Sequence, residues 1–527
     1  MSDKNIRAQA HETRARSVDA HAVKIRTEGR GFGFLKTLLV GLIIIAQLVF
    51  VILIYLGILN AISWYAIVAI VLSLICCLHV LSTHKAGQTK AVWVMFLLIF
   101  SSFGYIAYVL SSEDIFFAKN KKRYKKIFAR TAQYNGDGVL PESLPLAVKR
   151  DAEFLFSSGK FKTYFNSRLK YYPSGARLFD EVLTALEGAK KFIFIEYFII
   201  SDGKLLNAIT DILLRKVQEG VDVRIICDGM GSHGTISFKT KRKLRKGGVK
   251  LRTFNPILPH FSFALNIRDH RKIISVDGVC AFTGGCNLAD EYINAKRMYG
   301  YWKDTGLKIE GEAVDGLTLT FLRQWELLTR KEEDYSQFFN RYEKTESSSA
   351  VVPYADGKDY AVPIGKSVYE NVISSSLKKL YIMTPYFVPD EQTFNMICTK
   401  AMAGVDVRLI LPGVPDKAYV YAVTKDYAER LALSGVKVYI MRHAFVHSKV
   451  MLSENCVALG SVNIDLRSYY NQFENGVYTD DLNVREEVEA DFEKTFKACN
   501  LIESVKVRKN IFKRMTAGVM RLFAPLM

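Results

Sequence analysis

A chain that repeats itself over a long range is restricted to folds assembled from like units, and this one repeats from Ser174 onward. The segment GVDVRII at Gly220–Ile226 returns as GVDVRLI at Gly404–Ile410, and Gly248-Val-Lys-Leu-Arg returns as Gly435-Val-Lys-Val-Tyr. Each copy is a helical segment ending in Gly, followed by a β-branched run of strand length. Another matching pair lies upstream, FIFIEYFII at Phe192–Ile200 and LYIMTPYFV at Leu380–Val388. Strands alternating with helices argue for parallel α/β sheets. The fold class is therefore α/β, with pseudo-symmetric halves at 174–330 and 350–500 joined by the charged, Ser-rich segment 331–349.

The 527 residues leave a long region ahead of the repeat. Residues 1–36 carry eight Lys/Arg without apolar periodicity and read as a basic tail. Within 37–112 lie three uncharged runs, 37–59, 64–82 and 91–110, each of a length to cross a hydrocarbon core of roughly 30 Å. They have no polar face, which speaks against buried helices of a soluble core, and the expectation is a multi-pass protein of the cell membrane. Hydropathy favours three spans. The Lys/Arg balance favours two, with the repeat on the cytoplasmic side. Residues 113–173 form a basic juxtamembrane linker and lead-in, with Lys119, Lys121, Lys122, Arg123, Lys125, Lys126 and Arg130 among aromatics, and 501–527 form a basic amphipathic C-terminal segment. The 72 Lys plus Arg against 53 Asp plus Glu give a net charge of +19, which calls for an anionic partner, phospholipid headgroups or nucleic acid. The eight Cys show no CxxC pair and no Cys/His cluster, so neither a disulfide framework nor a metal is expected.

Each half also contains one copy of a chemical motif: DHRKIISVDGVCAFTGGCN in the first and VHSKVMLSENCVALGSVN in the second. Aligned, these give His270, Lys272, Asp277, Gly284, Gly285 and Asn287 beside His447, Lys449, Glu454, Gly460, Ser461 and Asn463. Residues i and i+2 of a strand share a face, so pairing the halves brings two His and two Lys to one seam. That set suits phosphodiester chemistry without a cofactor. One neutral imidazole attacks phosphorus, and the other, protonated, donates to the leaving oxygen. Lys272 and Lys449, with Asn287 and Asn463, would hold the non-bridging oxygens. Gly285 and Ser461 would let the backbone approach the phosphate. Glu196, in the upstream strand, could orient a His across the seam or pair with a Lys or Arg.

The paired HxKxxxxD segments resemble the phospholipase D superfamily and, more narrowly, bacterial cardiolipin synthases. The narrower likeness rests on IEYFI at Ile195–Ile199, WKDTGLKIEG at Trp302–Gly311, TPYFVPD at Thr384–Asp390, GSVNIDLRS at Gly460–Ser468 and the N-terminal apolar runs. It implies two phospholipase D-like halves sharing one active site, phosphatidylglycerol and anionic membrane lipid as partners, and no nucleic acid. It also implies phosphatidyl transfer between two phosphatidylglycerol molecules, with His270, Lys272, Asp277, His447 and Lys449 catalytic. The sixth position departs from the pattern: Glu454 stands where the family has Asp, and the spacing to the following turn is one residue shorter than in the first half. The expectation is that Glu454 substitutes for Asp and orients an imidazole or Lys. Hydrolysis of the same lipid, or transfer to a different acceptor, would use the same motifs.

Overall fold

The computed structural model describes residues 63–83, 87–111, 113–256, 267–340 and 348–502, with a few isolated positions. The tail 1–36, nearly all of run 37–59 and most of 501–527 lie outside the described residues.

The glycines of the repeat end helices. Gly220 and Gly404 both have φ 89°, and Gly248 and Gly435 both have φ 92°, a left-handed conformation that a Cβ would strain. After each, an N–H reaches back five residues: Val221 to Lys216 at 3.0 Å, Val405 to Lys400 at 3.1 Å, Val249 to Leu244 at 3.0 Å and Val436 to Leu431 at 3.2 Å. These are four copies of one Schellman cap, and a strand follows each.

In the first half the strands are β1 (Ser167–Tyr172), β2 (Phe192–Tyr197), β3 (Asp222–Asp228), β4 (Lys250–Phe254), β5 (Lys272–Val276), β6 (Cys280–Gly284) and β7 (Gly306–Gly311). Their order across the sheet is β1-β7-β6-β5-β2-β3-β4. The second half has β8 (Val351–Asp356), β9 (Lys379–Met383), β10 (Asp406–Pro412), β11 (Lys437–Met441), β12 (Val450–Ser453), β13 (Val457–Gly460), β14 (Gln472–Thr479) and β15 (Cys499–Leu501). Its order is β8-β14-β13-β12-β9-β10-β11-β15, the same path with one strand added. The sheets are mixed rather than parallel. Only β2-β3-β4 and β9-β10-β11 run parallel, because the turns from β5 to β6 and from β12 to β13 are too short for a parallel crossover.

The repeated Asp-Val-Arg is structural. Asp222 pairs with Arg224 at 2.6 Å and Lys250 at 2.7 Å, and Asp406 pairs with Arg408 at 2.7 Å and Lys437 at 2.8 Å. Each guanidinium also lies over an aromatic ring, Phe194 at 5.1 Å and Tyr381 at 4.7 Å.

Strand alternation sets the layers. Leu380 and Ile382 join a cluster with the outer helices, whereas Tyr381 and Met383 enter a core shared with Ile273, Ala281, Leu307 and Ile309 of the first sheet. The two halves therefore meet through one buried apolar layer. The start of the segment read as a juxtamembrane linker is a helix, Glu113–Arg130. It buries Tyr124 and Ile127 beside the helix Val314–Thr329 and leaves Lys121, Lys122, Lys125 and Lys126 exposed.

Of the described residues, those up to 83 with 90–110 form one compact unit, and 87–89 with those from 111 onward another. In the first, run 64–82 lies within a 20-residue helix, Ser63–Ser82. Run 91–110 departs from the expected single span: it is divided between Gly87–Ile99 and Ser101–Ser111. Trp93 and Tyr108 would lie about 22 Å apart on a continuous helix, yet their rings are 5.1 Å apart. The chain thus folds back after Phe100, where Ser101, Ser102 and Gly104 interrupt the large apolar residues. Among the described residues no helix is long and apolar enough to cross a membrane.

Candidate active site

Each motif histidine enters the site on a strand borrowed by the other half. Arg268–Asp269 pairs in parallel with Gln472–Phe473, and the His270 N–H donates to the Phe473 carbonyl at 2.8 Å. Reciprocally, Ala444–Val446 pairs with Tyr301–Lys303, and the His447 N–H donates to the Lys303 carbonyl at 2.7 Å. His270, Lys272, His447 and Lys449 are all buried. Lys272 Nζ donates to the His270 carbonyl at 2.7 Å, and Lys449 Nζ donates to that of His447. The i, i+2 spacing thus brings His and Lys together within each half, as expected.

The carboxylates that hold the rings are neither of those expected. His270 Nδ1 lies 2.9 Å from Glu474 Oε2, and His447 Nδ1 lies 2.7 Å from Asp304 Oδ2. Each His therefore takes its carboxylate from the opposite half. Asp304-Thr-Gly precedes and enters β7, and Glu474-Asn-Gly lies in β14, the equivalent strand. The repeat carried this signal, and reading the His motifs alone missed it.

Asp277 and Glu454 are elsewhere, at the turns leaving β5 and β12. Asp277 accepts from the N–H groups of Lys190, Lys191 and Phe192 at 2.6, 2.7 and 2.7 Å. Glu454 accepts from those of Leu377, Lys378 and Lys379 at 2.6, 3.3 and 3.2 Å. They fix the entries to β2 and β9 and neither orients a His or Lys, which corrects the expected catalytic role. Their difference is geometric. Val276 pairs with Cys280, leaving a three-residue turn, whereas the Ser453 N–H bonds the Cys456 carbonyl, leaving two residues between. The extra methylene of Glu454 spans the deficit of the shorter turn. Glu454→Gln should therefore cost about 1–3 kcal/mol of stability, from weakened charge-assisted bonds, with turnover per folded molecule unchanged. Thermal unfolding and specific activity of the detergent-extracted, folded protein check both halves of this expectation.

The other expected residues divide. Asn287 is engaged in the turn, accepting from the Ile199 N–H at 3.1 Å and donating to the Tyr292 hydroxyl at 2.7 Å. Asn463 keeps a buried Oδ1 without a hydrogen-bond partner. The N–H groups of Gly285 and Ser461 are used by the carbonyls of Thr305 at 3.0 Å and Asn475 at 2.8 Å, so neither points to a phosphate. Gly285 makes room instead: a Cβ there would lie 2.1 Å from Asp304 Oδ1 and 2.9 Å from the His447 carbonyl oxygen. The Ser461 hydroxyl donates to Glu474, as does that of Ser468 at 2.5 Å. Glu196 lies 3.7 Å from Arg271 and orients neither His.

Burial lowers the basicity of both imidazoles. His270 falls well below its usual value, pushed further by Lys272, Lys449 and Arg467. His447 falls to about 3, with Lys449 adding to the depression and Asp304 opposing it. Burial takes Lys272 down to about 8 and Lys449 to about 7, and raises Glu474 to about 8 against the pull of Lys272 and its serine donors. Asp304 is held below the usual carboxylate range: burial raises it, and His447 and Lys449 outweigh that. Among the described residues no cluster of three or more His, Cys, Asp or Glu could hold a metal ion.

Two halves of one topology, meeting at a seam of two HxK segments with exchanged carboxylates, define a phospholipase D-like protein. A family model described as "Cardiolipin synthase, PLD-like domain" matches residues 182–300 and 369–496. A protein named cardiolipin synthase from Alkalihalophilus pseudofirmus is 32% identical over 446 residues, 82% of this chain and 88% of its own. Cardiolipin synthase 2 of Bacillus anthracis is 32% identical over 470 residues, 86% of this chain and 90% of its own. The chain belongs to the cardiolipin synthase family. Among solved structures, the phosphatidylserine synthase of Haemophilus influenzae shares the fold, with a TM-score of 0.55 and 15% identity over 72% of this chain and 97% of that one.

Proposed function

We propose that this protein transfers a phosphatidyl group from one phosphatidylglycerol to another, giving cardiolipin and glycerol. The observation that carries the reading is the pair of exchanged His–carboxylate contacts, beside two Lys, in a member of this family. A carboxylate on Nδ1 holds the proton there and leaves Nε2 free for chemistry. His270 serves as nucleophile because three cations, Lys272, Lys449 and Arg467, oppose its protonation. His447 serves as acid because the ionised Asp304 on its Nδ1 favours the imidazolium against the burial and the Lys449 charge that oppose it, whereas the Glu474 facing His270 is raised to about 8. In the first step the Nε2 of His270 bonds to phosphorus, the bond to the glycerol oxygen breaks, and His447 protonates that oxygen. In the second, His447 takes the proton of the incoming hydroxyl and the P–N bond breaks. Lys272 and Lys449 hold the non-bridging oxygens throughout.

Incubation of the purified protein with phosphatidylglycerol alone tests the reading. Cardiolipin plus glycerol is expected. Phosphatidic acid plus glycerol would make it a hydrolase, and no conversion would overturn lipid turnover altogether. The lysines add a pH dependence: below their values of about 8 and about 7 they carry charge, and above them they lose it. The apparent KM for lipid should therefore rise between pH 7 and about 9.

The helix Ser63–Ser82 exposes Ile67, Val71, Leu74, Ile75, Leu78 and Leu81, a surface suited to lipid rather than water. We infer that the N-terminal unit sits in the apolar part of the cell membrane, and alkaline extraction of membranes checks this: the protein should stay with the lipid fraction.

A further inference from the structure

The two halves differ in charge at one equivalent position of the site. Four residues after Asn463 stands Arg467, and four residues after Asn287 stands Glu291. Arg467 follows the strand Ile464–Asp465, and its neighbour Ser468 donates to Glu474, the carboxylate that holds His270. The guanidinium turns toward the opposite half, with one Nη 4.0 Å from Met230 Sδ. Met230 belongs to the loop after β3, where Asp228 accepts from the Met230 N–H at 2.7 Å and from the Asp269 N–H at 3.0 Å. Arg467 is thus set between that loop and the His270 motif.

Its bonding is incomplete. The Nε is buried without a hydrogen-bond partner, and among the described residues no carboxylate forms an ion pair with the guanidinium. The adjacent Asp465 is engaged with the Ser468 N–H at 2.7 Å. A half-buried guanidinium left without an anion is suited to receive one from a ligand. The donor phosphate has its place between Lys272 and Lys449, which are 0% and 1% exposed. Arg467 is less buried than either lysine.

Resting on the proposed transfer, we propose that Arg467 binds the phosphodiester of the second, acceptor lipid. The acceptor's own phosphate lies one glycerol away from its attacking hydroxyl. Holding that phosphate at Arg467 presents the hydroxyl to the phosphohistidine. The P–N bond then breaks as the P–O bond forms, the electron pair returns to His270, and the hydroxyl proton passes to His447. Arg467 thereby favours a lipid alcohol over water or a simple alcohol.

Competition at this step provides the test. Full-length protein in mixed micelles of phosphatidylglycerol is supplied with 1-butanol, and cardiolipin and phosphatidylbutanol are measured together. Both products come from one intermediate, so their ratio is independent of how much enzyme is folded. Arg467→Gln should shift the ratio about tenfold toward phosphatidylbutanol, with Arg467→Lys between it and the parent. An unchanged ratio, with both products formed, overturns the assignment of Arg467 alone. Failure of the unsubstituted protein to form either product overturns the transfer reading, and this inference with it.

Discussion

His270→Ala and His447→Ala should each lower the rate of phosphatidyl transfer by about three orders of magnitude or more, and the double variant should be scarcely worse than either alone. The reason is that nucleophile and acid serve the same displacement, so removing one leaves the other nothing to assist. Both rings are buried at the same seam, and each is affected by the lysine of the opposite half. Steady-state rates of the three variants, compared on a logarithmic scale, are the measurement. Losses that multiply would show two independent sites. Acid-quenched trapping distinguishes the roles: phosphate should be recovered on a peptide containing His270, and the His447→Ala protein should form it far more slowly than the parent.

The second large effect belongs to the exchanged carboxylates. Asp304→Asn keeps shape but can present an N–H to His447 Nδ1, favouring the tautomer that puts the proton on Nε2. Loss of the charge also withdraws support from the imidazolium, so a fall of about two to four orders of magnitude in kcat is expected. Glu474→Gln should weaken the attack by His270 in the same manner but less severely, because the Ser461 and Ser468 hydroxyls can still position the side chain. Asp277→Asn is the control: its carboxylate binds three backbone N–H groups at the start of β2 and no imidazole. It should lower the melting temperature and leave the rate per folded molecule nearly unchanged. If Asp277→Asn is catalytically as poor as Asp304→Asn, the division between positioning and structural carboxylates is wrong.

The contrast between these carboxylates shows what can be read from the chain alone. The duplicated Gly-Val-Asp-Val-Arg, the two HxK segments and their i, i+2 geometry are local patterns, and they identified both halves and the four central side chains. Asp304 and Glu474 act on histidines 143 and 204 residues away in the chain, a distance that no local periodicity reports. They were legible only as a second repeat, Asp-Thr-Gly beside Glu-Asn-Gly, whose partner in space had to be found. Asp277 and Glu454 are local to their motifs, yet a spacing of five does not say whether a side chain at a turn faces the site or the neighbouring backbone. The antiparallel part of each sheet escaped for a related reason: β-branched runs reveal strands, whereas direction depends on how many residues are left for the return.

The strand exchange between halves carries a consequence for descent. A single half contains one histidine and one carboxylate, but the two do not belong to each other. An ancestral unit of this topology would have needed a second copy of itself, each molecule lending its acidic group in trans. Within one chain that mutual dependence is intramolecular, and the two halves need not stay alike: four residues after the paired asparagines one carries Arg467 and the other Glu291.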